Sequence, residues 1–517
     1  MTGADNNAAT AGERAARRWG LDISAIEDLG GVLDRARATY ARVEALAEMF
    51  PVAKPAQPAW RVERVGGSDP HGAWMYRTEM PAGTAPTGPL AGQRLVVKDA
   101  IAVAGVPMTL GGNFLVDFVP STSALVVERA LAAGATLAGT AVCEDLCYSG
   151  SSFTSVTGPV RNPYDPLRAA GGSTSGCAVL LATGEADLAF GTDLGGSVRN
   201  PAAWCGISAL KPSFGVVPYS GAVSTEFSMD HLGLMARTAR DIALLLDVVA
   251  GASDTDPRQA GIGALAGSAG GADSDISHLR VGILRDGFGW PERSDPRVDA
   301  MVREAAVALG RLGAGAAEVS VALYRHATDI HVPISCEGGL ATVFEQNTQG
   351  SNRHGSFDAE LAWAFGQALG TNAANLPLNG KIALIAGTVL RDATKSRTLA
   401  LAQRLRVLLR AQIDAALRLF DVLVLPAVPM LPHLLPTTAL PAAAHQKLAF
   451  EMHDNNCAAN LTGHPALSVP CGLIDGLPVG MLLLGRHLED HLLLAVAHQF
   501  QQRVFATPSP PARRRHA

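Results

Sequence analysis

From Arg94 onward the chain alternates short apolar runs with stretches of helical spacing, and this alternation is the feature that most narrows its fold. RLVVKDA at 94–100 reads as a buried strand, SALVVERALAAG as a helix and ATLAGTAV as a second strand. CAVLLATG followed by ADLAFGTD repeats the pair, LRVGILRD is a strand at 279–286, and PRVDAMVREAAVALGRLG is an amphipathic helix closed by glycine. Strands in FDVLVLPAVP, ALSVPCGL and VGMLLLG, then a helix in HLLLAVAHQFQQ, complete the pattern. Helices that connect strands must cover the faces of the sheet, so the pattern predicts an α/β fold with a covered sheet.

Other regions read differently. Residues 1–20 are expected to be frayed, whereas 21–50 carry helical spacing through Ile23, Ile26, Leu29, Leu33, Tyr40, Val43 and Leu46, interrupted at Gly30-Gly31. The Pro- and Gly-rich stretch 51–90 predicts irregular backbone, a linker ahead of the main domain. Residues 251–278 are Gly/Ser/Asp-rich and 336–420 mainly helical. The expected organisation is an N-terminal helical extension and linker at 1–90, a core at 91–278, a smaller helical and α/β subdomain at 279–420, and a return to the core at 421–517. The Arg513-Arg514-Arg515 run in the last segment is expected to be solvated charge.

Composition excludes several classes of function. With 48% hydrophobic and 17% charged residues, the chain lies outside the disordered range. Lys+Arg at 42 against Asp+Glu at 47 gives a net charge of −5, so the basic excess that neutralises phosphates is missing and no nucleic-acid partner is expected. No run approaches the ~18–20 apolar residues of a membrane span, and the first twenty residues hold no apolar signal core, so the expectation is a cytoplasmic protein without membrane association. Seven scattered cysteines are expected to be reduced thiols. Cys143 and Cys147 lack a second Cys/His pair at zinc spacing, so no metal site is expected.

Familiar catalytic signals fail. There is no GxxxxGK[ST], HExxH or GxSxG, and GIGALAG at 261–267 has the wrong spacing for a dinucleotide turn. Ser208-Ala209-Leu210-Lys211 matches SxxK, yet Pro212 would end the helix that motif requires. Two Gly/Ser-rich segments remain, AAGGSTSGCAV at 169–179 and GTDLGGSVRNPAAWCG at 191–206. Consecutive glycines in Leu194-Gly195-Gly196-Ser197 let several N–H groups face one oxygen, which makes an oxyanion hole when a nucleophile sits at its end. Ser197 occupies that end. A serine needs a base, and Lys98 stands at the end of the strand RLVVKDA, where burial would keep an amine neutral. The other reading of the same residues is a surface Lys98–Asp99 pair and a glycine-rich turn without chemistry.

Taken together, VVKDA at 96–100, GGSTSG at 171–176, GTDLGGSVRNPAAWCG and LKPSFGVVP at 210–218 resemble the amidase signature family. RNPYDP, DHLGLMARTARD and TGHPALSVPCG extend the likeness over nearly all of the chain after residue 90. Within that family, CYSGSSFTS, DPRQA and the N-terminal extension are similar to the enantioselective amidases of nitrile-degrading actinobacteria. The resemblance implies a mixed central sheet with helices on both faces, and hydrolysis of a carboxylic amide through an acyl-enzyme without metal or organic cofactor. It implies Ser197 as nucleophile, Ser173 as bridging serine after a cis peptide at Gly172, and Lys98 as base. Leu194, Gly195 and Gly196 would supply the oxyanion hole, with Asp193 and Arg199 bracing the loop. Cys177 and Cys205 are expected to be buried apolar thiols rather than nucleophiles.

The likeness further implies that Tyr148, Met229, His453 and His331 line the pocket, which suits an aryl or small amide, an anilide or a carbamate. The histidines have a second reading, hydrogen-bonded packing away from substrate. Thr174 and Ser175 depart from the family's GGSSGG, Leu234 stands where similar enzymes often have Pro in a loop, and Leu194 replaces a Gln. Relatives of this kind are often dimers through their N-terminal helices, so a homodimer is expected. The alternative function is the glutaminase component of a partner-dependent amidotransferase.

Overall fold

The computed structural model describes residues 8–24, 27–51, 60–65, 69–79, 87–259, 274–350, 355 and 357–511. The chain divides into two units, Met1–Ala56 and Gln57–Ala517. GIGALAG and the Arg513–Arg515 run lie outside the described residues.

The first unit holds α1 (Ala8–Trp19) and α2 (Leu29–Met49). The expectation of a frayed start is therefore corrected by a helix at Ala8–Trp19. Gly30-Gly31 does not interrupt α2 either, because the pair lies in its first turn. There the Asp28 side chain accepts from the Gly31 N–H at 3.1 Å, an approach a side chain at 31 would block.

The second unit runs β1 (Arg61–Arg64), β2 (Trp74–Glu79), β3 (Arg94–Lys98), α3 (Leu125–Ala132), β4 (Thr136–Ala141), α4 (Ser175–Ala182), β5 (Leu188–Asp193), α5 (Arg199–Cys205), β6 (Ser208–Lys211), β7 (His231–Ala236) and α6 (Ala239–Val249). It continues with β8 (Arg280–Leu284), α7 (Pro296–Leu312), β9 (Gly315–Val319), α8 (Ala327–Gly339), α9 (Ala359–Thr371), α10 (Leu378–Thr394), α11 (Arg397–Leu419) and β10 (Val422–Pro426). The last elements are α12 (Ala442–Phe450), α13 (Cys457–Thr462), β11 (Ala466–Ile474), β12 (Leu477–Leu484) and α14 (Asp490–Arg503).

All twelve strands form one mixed sheet in the order β1-β2-β4-β3-β5-β7-β6-β11-β12-β10-β8-β9. β3 lies parallel to both β4 and β5, so the C-terminal ends of β3 and β5, with Lys98 and Asp193, share one edge of the sheet. Leu95, Val97, Leu188, Phe190 and Leu234 enter one hydrophobic cluster, while Val96, Ala189 and Met235 enter the other. This strict alternation places core on both faces of the sheet. Val126 and Val127 of α3 with Ile242 and Leu245 of α6 cover the first face, and Cys177–Ala182 of α4 the second.

Two expectations change and one reading holds. The Pro/Gly-rich stretch is not irregular throughout, since β1 and β2 join the sheet as its edge, β2 against β4. Edge strands with a solvated face carry little apolar signal, and their pairing comes from the neighbour. The rejection of the SxxK match holds, since Ser208–Lys211 is a strand and gives it no helical scaffold. Leu234 stands inside β7 rather than in a loop.

Candidate active site

Lys98 ends β3 with no solvent exposure, and its Nζ lies 2.7 Å from Ser173 Oγ and 2.7 Å from Thr192 Oγ1. The surface Lys98–Asp99 pair is not formed. Asp99 turns the other way, accepting from the Thr109 and Gly111 N–H groups at 3.1 Å. Ser173 precedes α4, and the Gly172–Ser173 peptide is cis. The neighbouring Thr174 N–H donates to the Ser197 carbonyl at 3.1 Å, which ties the two Gly/Ser-rich segments together. Ser197 itself is 7% exposed.

The loop before Ser197 is organised by one carboxylate. Asp193 accepts from the Gly196 N–H at 2.9 Å, the Val198 N–H at 3.2 Å, Arg199 Nε at 3.0 Å and Nη2 at 2.8 Å, and Asn460 Nδ2 at 3.0 Å. Arg199 reaches on to Asn456 Oδ1 at 2.8 Å and Asn460 Oδ1 at 2.6 Å. Burial alone would raise the Asp193 pKa, but the Arg199 charge and these donors hold it well below the usual carboxylate range. Asp193 and Arg199 thus brace the turn at Gly196, whose φ of +123° favours glycine and whose Cβ would stand 2.7 Å from Asn456 Cβ.

One consequence corrects the expected oxyanion hole. The Gly196 N–H points at Asp193 and is not available to a substrate. The N–H groups of Leu194, Gly195 and Ser197 have no partner among the described residues, so the candidate donors are these three.

Two histidines flank Gly195: a Cβ there would meet His453 Cδ2 at 3.3 Å and His331 Nε2 at 3.4 Å. His331 donates from Nε2 to the Leu194 carbonyl at 3.1 Å, and His453 from Nδ1 to the Phe450 carbonyl at 3.0 Å. A carbonyl only accepts, which fixes the tautomer of each ring. Burial lowers both pKa values, that of His331 to about 4, so both rings are neutral near pH 7.

Tyr148 packs its hydroxyl against Gly339 at the end of α8, and that buried oxygen has no hydrogen-bond partner among the described residues. Met229 differs from the expectation of a pocket wall: its side chain is fully buried in the main hydrophobic cluster, and its carbonyl accepts from His231 Nδ1 at 2.7 Å.

Sequence reasoning missed Thr192, Asn456, Asn460 and Cys147. Cys177 and Cys205 are buried, and burial pushes the Cys177 thiol up to about 12. The thiol beside the site is Cys147, drawn down by hydrogen bonding to Cys143, with Lys98 and Ser173 acting in the same direction. The position of Thr192 one residue before Asp193 was the available signal for that hydroxyl. Among the described residues no three His, Cys, Asp or Glu side chains converge as metal ligands would.

A protein-family model described as Amidase matches residues 73–494. The chain is 37% identical to an enantioselective amidase of Rhodococcus rhodochrous, covering 95% of this chain and 94% of that one. It is 34% identical to a glutamyl-tRNA(Gln) amidotransferase component of Methanosarcina barkeri, over 82% of this chain and 87% of the relative. Among solved structures it is similar to the peptide amidase complexed with the competitive inhibitor chymostatin, at 28% identity and a TM-score of 0.66, covering 82% and 86% of the two chains.

Proposed function

The chain belongs to the amidase family and is a hydrolase of amide C–N bonds, and on that premise we propose that it works through a Ser197-Ser173-Lys98 relay. The observation that carries this reading is the solvent-free Lys98 Nζ at 2.7 Å from Ser173 Oγ. In this relay Lys98 takes the proton of Ser173, Ser173 takes that of Ser197, and Ser197 Oγ bonds to the amide carbonyl carbon. The N–H groups of Gly195, Ser197 and Leu194 hold the resulting oxyanion. As the C–N bond breaks, the relay returns the proton to the leaving amine. Water then repeats the sequence on the acyl-enzyme, which gives ping-pong kinetics and requires no cofactor.

The substrate in this reading is an aryl or small amide, with anilides and carbamates as neighbouring classes. The neutral His453 ring and the Tyr148 hydroxyl, unpartnered among the described residues, support this reading as polar groups open to such a substrate. The decisive experiment is amine release from aliphatic amides, aryl amides, anilides, carbamates and glutamine by wild type and Ser197→Ala. Turnover of one class that vanishes in the variant supports the reading; turnover that persists in Ser197→Ala overturns it.

A second reading is the glutaminase component of an amidotransferase, favoured by the likeness to glutamyl-tRNA(Gln) amidotransferase chains. It predicts no turnover of the panel by the chain alone and ammonia release from glutamine once a partner is added. We further propose a homodimer through the N-terminal unit, because α2 has no buried residue and exposes Val32, Tyr40, Val43, Leu46 and Met49. Seven free thiols suit a reducing compartment, and the proposed location is the cytoplasm.

A further inference from the structure

The oxyanion donors differ in how firmly they are held. Ser197 leads directly into α5, and the Gly196 N–H beside it is tied to Asp193. The Leu194–Gly195 peptide, by contrast, is followed by two residues without side chains, and a plane flanked by glycine turns over at little steric cost. Its orientation decides whether the substrate oxygen meets the Gly195 N–H or the Leu194 carbonyl.

One hydrogen bond sets that orientation. His331 Nε2 donates to the Leu194 carbonyl at 3.1 Å. In a planar trans peptide the C=O and the N–H point in opposite directions. Holding the Leu194 oxygen toward α8 therefore directs the Gly195 N–H away from α8, and that N–H has no partner among the described residues. The donor is itself rigid. Ile330 and Ile334, on either side of His331 in α8, are 2% and 1% exposed within the main hydrophobic cluster. The turn before α8 is pinned by Tyr324, whose hydroxyl donates to the Asn455 carbonyl at 2.6 Å.

We propose that His331 is a positioning residue for catalysis: it fixes the Leu194–Gly195 peptide so that the Gly195 N–H faces the developing oxyanion. This rests on the amide-hydrolase reading of the site, and it replaces the expectation that His331 contacts substrate. His331 acts through the peptide, so its effect falls on the transition state, where negative charge sits on the oxygen, rather than on substrate binding.

The test compares wild type with His331→Leu, which removes the donor, and His331→Gln, whose amide reaches a similar point. The probes are benzamide as substrate and benzeneboronic acid, which forms a tetrahedral adduct with a serine nucleophile. His331→Leu is expected to lower kcat by about 10²–10³-fold with KM nearly unchanged, to weaken the boronic acid by a similar factor, and to be largely rescued in His331→Gln. Crystal structures of both variants give a readout independent of turnover: the Leu194–Gly195 peptide turned over with leucine and retained with glutamine. His331→Phe serves in place of the leucine variant if the latter does not fold. An unchanged peptide in His331→Leu overturns the proposal, as does a raised KM with unchanged kcat. Lack of benzamide turnover by the wild type would count against the substrate reading alone, since the peptide orientation is still decided by the crystal structures.

Discussion

Lys98 Nζ stands 2.7 Å from Ser173 Oγ at the closed end of β3, with Thr192 Oγ1 at the same distance on its other side. An amine held between two hydroxyls and away from solvent is aimed at one proton. In the proposed relay, Thr192 holds that aim. Replacing Thr192 with Val should lower kcat by about tenfold, the effect of one hydrogen bond of roughly 1 kcal/mol, while KM stays constant. Lys98→Met should reduce turnover to background. Steady-state kinetics on the amide identified from the panel separate the two.

The two loop glycines should respond differently. At Gly196 a methyl group would press on Asn456 Cβ at 2.7 Å and Asn200 Oδ1 at 2.8 Å, on a backbone with positive φ. Gly196→Ala should therefore lose activity by more than about 100-fold. At Gly195 the nearest atoms lie at 3.3 Å or beyond, so Gly195→Ala should fold normally and lose less. Thermal melts beside initial rates check both.

Asp193 and Arg199 form a pair with no solvent exposure. Breaking a buried pair from one side leaves an uncompensated charge, typically about 3–5 kcal/mol. Asp193→Ala should lower stability by that order in urea unfolding, and it also frees the Gly196 N–H from its anchor. Arg199→Lys should recover only part of the wild-type value, because lysine cannot reproduce the fork to Asp193 and Asn460.

Burial raises the Asp145 carboxyl to about 7, and Glu144 and Cys147 act in the same direction. A carboxyl whose folded pKa exceeds its unfolded value takes up a proton on folding. Its contribution to stability is complete below about pH 4 and is lost as pH rises through about 7. Asp145→Asn should match the wild-type melting temperature at about pH 4 and below, exceed it progressively as pH rises to about 7, and keep a constant margin above that. Calorimetric scans across that range measure the difference.

Removal of residues 1–56, the whole first unit, should convert a dimer into a monomer by light scattering and leave amide turnover largely intact. A truncated chain that still runs as a dimer would place the interface on the second unit.

Much of this protein is written locally. Leu95-Val96-Val97, the helix-forming run at Leu125–Ala132 and the capped helix beginning at Pro296 follow from side-chain periodicity and end signals. Lys98, Ser173 and Ser197 stand in short motifs whose residue types already point to acyl transfer. By itself the sequence determined the alternating architecture and the family, and it named the three residues of the proposed relay, because each is expressed within a few neighbouring positions. Only the tertiary structure decided what depends on distant partners. β1 and β2 become strands because β4 offers an edge. The Gly196 N–H goes to Asp193 because Arg199, Asn456 and Asn460 hold the surrounding charge in place. His331 meets Leu194 across 137 residues of chain. A hydrogen bond between residues so far apart leaves no periodicity in the sequence, and it exists only once both elements are packed.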